Sequence, residues 1–293
     1  VLGQRVVLDE ELKQAFVDTG TVHLLVISGF NVGIVAGLFG FLLRLLGVPR
    51  RVRLVVVGVS LSGYCVLTGW TPPVVRATIV AWIVLGALWL DRVISWPNVL
   101  AACVLAILWG NPTQLADPSF QLSCGAVLSL LLFMPRWRVW LEPRLVWVRP
   151  AWLYRYAVLS ISATSAIWVG LAPLLAWYFH LVSPVSLVAN LVIAPLMSLL
   201  VCVGTTFLLL GVMVEPLMAW GQGVVSLLLD ATVRCVAVCH AIPGGFWPVA
   251  HPSLWWLMSY YGVVALSVWW RPLGLTWGRM LVLWGAAGTV WLW

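Results

Sequence analysis

The stretch HLLVISGFNVGIVAGL, residues 23–38, decides the fold of this chain. It is apolar enough to sit in lipid, yet it carries His23, Ser28 and Asn31 and spaces Gly29, Gly33 and Gly37 at intervals of four. A segment that only had to cross a bilayer needs none of these. On an α-helix, residues four apart share a face, so the glycines form a smooth stripe. Helices in lipid attract one another through close contact, and small residues at this spacing let backbones approach. Asn31 lies about 200° from Gly33 on an ideal helical wheel. One face is therefore free to pack on a neighbour while Asn31 points into a polar lumen. Ser28-Gly29 is also a place to interrupt the helix, which a membrane tolerates only against protein or water.

The rest of the chain has the same character. Of its 293 residues, 63% are hydrophobic and 9% charged, with a mean hydropathy of +1.05. No water-soluble globule of this length hides so much apolar surface. The expected fold is an all-α integral membrane protein, a polytopic bundle of about ten transmembrane segments, some broken, with surface amphipathic helices. The apolar runs fall near 21–43, 54–70, 74–90, 97–110, 119–135, 156–179, 184–213, 217–241, 253–270 and 280–293. Residues 1–20 form an extracytoplasmic lead-in, and 21–293 the transmembrane domain. Within the lead-in, 9–19 reads as an amphipathic helix. Asp9, Glu10 and Glu11 occupy its first turn, where the helix dipole favours negative charge, and Leu8, Leu12 and Phe16 give it an apolar stripe. Such a helix is expected to lie along the membrane surface. No charged leader or cleavage site is visible after Val1, so no signal peptide is read here, and a start without Met suggests a piece of something longer.

Loop charge tests the count of segments. The net charge of +7 comes almost wholly from arginine. Arg44, Arg50, Arg51 and Arg53 follow the first segment and Arg92 the third. Arg136, Arg138, Arg144, Arg149 and Arg155 surround the loop after the fifth, and Arg271 and Arg279 flank the loop after the ninth. These all fall on one side, which the positive-inside rule makes cytoplasmic, with both chain ends outside. Of the 21 Trp, only Trp82, Trp168 and Trp284 sit near mid-span; the others cluster at segment ends, where the amphipathic ring prefers the headgroup level. RWRVWLEPRLVWVRPAWLYR, 136–155, reads as an interfacial element whose arginines snorkel to headgroup phosphates, or as a path for an exiting polyanion.

A few residues carry chemistry. In GWTPPVVRA, 69–77, Pro72 and Pro73 suit the free N–H positions of a helix start. Arg76 then sits one turn inside, at the positive end of the dipole, where a cation is unfavourable. It needs an anion, either a carboxylate such as Asp117 or a substrate phosphate. Asp230 and Arg234 are four apart in the eighth segment, acid first, the favourable order for a pair. Charges at this depth normally face a bundle interior or a water-filled cavity. In ANLVIAPLMS, 189–198, Pro195 removes the bond to the Leu191 carbonyl, and Asn190 lies one turn before it. Either a substrate-lining broken helix or a plain kink fits this pattern. His23, His180, His240 and His251 all fall toward the outer face. The six cysteines lie in apolar runs as small hydrophobes, and Cys235, Cys239 and His240 read as a helix face rather than a metal site. No nucleophile elbow, phosphate loop or paired-carboxylate site is present, so neither catalysis nor a cofactor is expected.

GTVHLLVISGFNVGIVAGL (20–38), GWTPPVVRA (69–77), NPTQLADPSFQLS (111–123) and ANLVIAPL (189–196) together resemble the membrane competence domain of ComEC proteins. Their order and spacing fit over most of residues 9–213, and the H-L-L-x-I-S-G signature is the most specific part. The resemblance implies import of single-stranded DNA through the bacterial inner membrane during natural transformation. It also implies partners: an extracytoplasmic DNA receptor, a cytoplasmic helicase-like ATPase, and the OB-like and metallo-β-lactamase-like nuclease domains of full-length members, neither of which is in this sequence. One position departs from the family. Where the motif commonly reads S-G-L-H-V, this chain has Ser28-Gly29-Phe30-Asn31-Val32, and Asn31 keeps hydrogen-bonding capacity without the means to carry positive charge.

The resulting expectation is a channel lined by polar faces of the first, third, fifth and seventh segments. His23, Ser28 and Asn31 offer hydrogen bonds, and Gly29, Gly33 and Gly37 give room. Arg76 meets phosphates near the outer mouth, Gln121 and Asn190 add neutral contacts, and Arg234 adds a charge. A sparse lining suits a polyanion that must also leave. Two rivals stand beside it: a small-solute or lipid transporter built on broken helices, and a membrane anchor for absent soluble domains.

Overall fold

The computed structural model describes residues 10–25, 29–211 and 215–269, without the side chains of 25, 208–211, 215–219 and 267–269. The elements run α1 (Glu10–Asp18), α2 (Val22–Leu25), α3 (Gly29–Leu45), α4 (Arg50–Leu67), α5 (Pro72–Trp89), α6 (Trp96–Gly110), α7 (Pro118–Leu141) and α8 (Ala151–Phe179). They continue through β1 (Leu181–Val182), α9 (Ser186–Gly211), α10 (Glu215–His240), β2 (Trp247–Pro248) and α11 (Leu254–Trp269). The first nine apolar runs fall on α3 to α11 in order; the tenth, with Trp284, Arg271 and Arg279, lies outside the described residues. The chain is an all-α polytopic membrane protein. Among the described residues, five helices are both long and apolar enough to cross a bilayer: α5, α7 with the turn after it, α8, α9 and α10.

The chain divides into two compact units, Val1–Cys124 with Val185–Gly245, and Gly125–Pro184 with Phe246–Trp293. In the first unit, α3, α4 and α5 pack around Val32, Val35, Val57, Leu61, Cys65 and Val74. Gly58 makes this possible: a Cβ there would sit 2.8 Å from the Trp82 ring, and that ring's Nε1–H donates to Ser62 Oγ at 3.0 Å. A tryptophan within a span needs such an acceptor, because lipid supplies none. At one end of these helices Arg50 Nη1 donates to Asp91 Oδ1 at 2.8 Å, joining the two loops that charge placed on the same side.

A second core in this unit joins α1 and α2 to α9 and α10 through Phe16, Leu24, Val185, Ala189, Ile193 and Val236. Here one expectation is corrected. α1 does not spend its apolar stripe on the membrane surface; Ala15 and Phe16 are buried against protein. The hydrogen bonds at the end of α1 explain why. Thr19 Oγ1 donates to Ala15 O at 2.7 Å, Gln14 Nε2 to Asp18 Oδ1 at 2.8 Å, and His240 Nε2 lies 3.1 Å from Asp18 Oδ2. The first two order the end of α1, the third fastens it to the end of α10, and protein offers Phe16 closer packing than lipid does.

Of the two readings of Pro195, the plain kink is left, because the helix is not interrupted there. α9 is one continuous helix from Ser186 to Gly211. It packs along α10, where Gly221 lies so close to Phe207 that a Cβ would meet the ring at 2.6 Å. Continuous packing of this kind holds a helix through a single missing N–H.

In the second unit, α7 and α8 meet where Gly170 faces Ser129; a Cβ on Gly170 would lie 2.6 Å from that of Ser129. Three residues on, Pro173 removes the N–H that the Val169 carbonyl would accept. α11 repairs the gap: Tyr260 Oη–H donates to Val169 O at 2.7 Å and Tyr261 Oη–H to Gly170 O at 3.0 Å. The antiparallel pair β1–β2 closes the loops at the far end of α8, with Val249 N–H donating to His180 O at 2.9 Å.

Candidate functional site

Every described residue singled out for the path lies in the first unit. Three helix beginnings are tied together there. A Cβ on Gly29, the first residue of α3, would lie 3.2 Å from Ala77 Cβ and 4.0 Å from the Pro73 carbonyl, so α3 and α5 touch at their starts. Pro72 and Pro73 take the first positions of α5, where the missing N–H groups cost nothing. One turn in, Arg76 is 6% exposed and reaches α7. Its Nη2–H donates to Ser119 O at 2.9 Å and Ser119 Oγ at 2.7 Å.

Asp117, the carboxylate expected to hold Arg76, does not do so. Asp117 is occupied elsewhere: its Oδ1 accepts from Phe120 N–H at 3.0 Å and caps α7. No ion pair joins it to Arg76 among the described residues. Two neutral oxygens hold one arm of the guanidinium, and Nε is buried without a partner. The Thr71 hydroxyl just before α5 and the Thr78 hydroxyl within it are likewise buried without partners. Helix beginnings carry partial positive charge, so this corner favours an incoming anion.

The remaining residues scatter. His23 is exposed, and its Nδ1–H donates to Gly20 O at 3.1 Å. Asn31 is half-buried on α3 with no hydrogen bond to a described residue, and Asn190 on α9 keeps its Oδ1 buried without a partner. Gln121 donates from Nε2 to Leu115 O at 2.9 Å, stapling the turn before α7. Ser28 lies outside the described residues. Gly33 and Gly37 correct the packing expectation: nothing described lies within 4 Å of where their Cβ atoms would be. The buried side of α3 is set by Val32 and Val35, and the glycine row rotates away from it, so only Gly29 makes a close approach.

Asp230 and Arg234 hold the largest surprise. Both are exposed, and no ion pair joins them to each other or to a described residue. The packed side of α10 is fixed by Thr232, Val236 and Cys239, which turns Asp230 and Arg234 to the opposite side together. The expected self-satisfied pair is therefore corrected to two open charges within a 21-residue apolar span, Trp220–His240. Ser119, the partner of Arg76, was invisible in the sequence, since a serine after an Asp-Pro helix start reads as ordinary capping.

The family model described as "Competence protein" matches residues 1–273. The chain is 28% identical to ComE operon protein 3 of Bacillus subtilis over 83% of its own length and 31% of that protein's. It is 30% identical to the Escherichia coli protein YcaI over 97% of its length and 38% of that protein's. It is 32% identical to Recombination protein 2 of Haemophilus influenzae over 45% of its length and 18% of that protein's. The chain thus spans about a third of the first curated relatives it matches. No solved structure matches it.

Proposed function

The chain belongs to the ComEC family of competence proteins, and from that membership we propose that it forms the inner-membrane path by which single-stranded DNA enters the cell during transformation. The observation that carries this reading is the open face of α10. A bare carboxylate and a bare guanidinium within an apolar span are costly in lipid, and the usual resolution is a water-filled cavity. A wet face in a DNA-uptake family points to the strand as its occupant. Other polar groups suit such a path, because Asn31, the Asn190 amide oxygen and Arg76 Nε have hydrogen-bonding capacity that described neighbours do not use. They supply many weak contacts and little net positive charge, which lets a polyanion pass without being trapped. The arginine-rich loops face the cytoplasm, and an external DNA receptor and a cytoplasmic ATPase complete the system.

The test is transformation in a competent host whose full-length protein carries Asp230→Asn with Arg234→Gln. At equal protein level in the membrane, DNA uptake falls at least about tenfold, the equivalent of one lost contact of about 1.4 kcal/mol. Unchanged uptake removes α10 from the path. Purified protein in liposomes, offered oligonucleotides, lipids or small metabolites, separates the channel from a solute or lipid transporter.

A further inference from the structure

The second unit carries a surface apart from the residues proposed to line the DNA path. From Arg136 to Arg155, the end of α7, the following turn and the start of α8 form a folded cap, tied by Tyr154 Oη–H donating to Glu142 O at 3.1 Å. Five arginines stand here against one acid, Glu142, and that acid is taken by Arg138 at 3.0 Å. Arg149 and Arg155 are exposed and make no ion pair or hydrogen bond with a described residue. Between the charges, Val139, Val146, Trp147 and Trp152 are 63% to 77% exposed.

We propose that this cap is an anionic-lipid footing: Arg149 and Arg155 bind headgroup phosphates while Trp147, Trp152 and the two valines enter the headgroup–acyl boundary. Charge complementarity fixes the sign of the partner, and bare valine and tryptophan side chains fix its character as lipid. The cap also grows directly out of two spans, α7 and α8, which holds it at the membrane boundary. A nucleic acid fits less well. Single-stranded DNA can stack on the exposed Trp147 and Trp152 rings, but it gives the bare Val139 and Val146 side chains no apolar partner. The Trp140 face is already covered by the Arg144 guanidinium 3.8 Å from its centroid.

The experiment places the full protein in nanodiscs of pure phosphatidylcholine or of equal parts phosphatidylcholine and phosphatidylglycerol. Thermal unfolding is followed, and retained lipid is identified by native mass spectrometry. The wild type unfolds at a higher temperature in the anionic discs, and added salt erodes the gain. Arg149→Gln with Arg155→Gln loses the gain and retains about fivefold less anionic lipid per arginine removed, but unfolds like the wild type in phosphatidylcholine. Arg149→Lys with Arg155→Lys keeps most of it. An undiminished gain in the glutamine variant overturns the proposal, and so does salt-sensitive oligonucleotide binding that the same variant abolishes.

Discussion

At the scale of single residues, Arg76 shows how far chemistry can be read before a structure exists. A cation one turn inside a helix start is misplaced unless something holds it, and that much follows from the sequence. The holder did not follow, because Ser119 lies 43 positions away and uses a main-chain oxygen as well as its hydroxyl. The structure implies a graded result. Ser119→Ala removes one of two acceptors and costs about 1 kcal/mol, whereas Arg76→Gln removes both bonds and costs about 2 to 3 kcal/mol, read from unfolding in detergent. If Arg76 Nε also serves the strand, Arg76→Gln lowers DNA uptake well below Ser119→Ala at equal protein level. Equal uptake makes Arg76 a structural tie alone. Asn31 and Asn190 drew notice for the simpler reason that amides in apolar runs stand out.

At the scale of elements, apolar runs were enough to place α3 to α11, because a helix bound for lipid must be apolar along its length whatever it packs against. What an amphipathic or proline-bearing helix does next is not written in its own residues. The stripe of α1 fits lipid or protein equally; the Asp18–His240 contact, 222 positions apart, chooses protein. Pro195 and Pro173 look alike in sequence, and both helices run through them, but the help Pro173 receives comes from α11. This yields a cycle of variants. Tyr260→Phe leaves the Val169 carbonyl without its hydroxyl donor in a dry setting and costs about 1 to 3 kcal/mol. Pro173→Ala restores the helical N–H, so the same Tyr260→Phe change on that background costs close to nothing. Equal costs on both backgrounds contradict the repair.

At the scale of the whole molecule, membrane character was evident from composition, and membership in the competence family rested on four motifs spread over most of residues 9–213. The division into two compact units was not visible, since no linker or change of composition marks Cys124, Pro184 or Gly245. Nor was the open face of α10, because an acid and an arginine four apart read as a pair. That face bears the central claim, that polar groups within the spans border water and DNA. The most direct measurement is thiol accessibility at Asp230→Cys and Arg234→Cys, each in a background lacking the six native cysteines. A membrane-impermeant thiol reagent labels both positions, and single-stranded DNA held in the protein protects them. Thiols that stay unreactive, or react equally with and without DNA, contradict a wet path along α10.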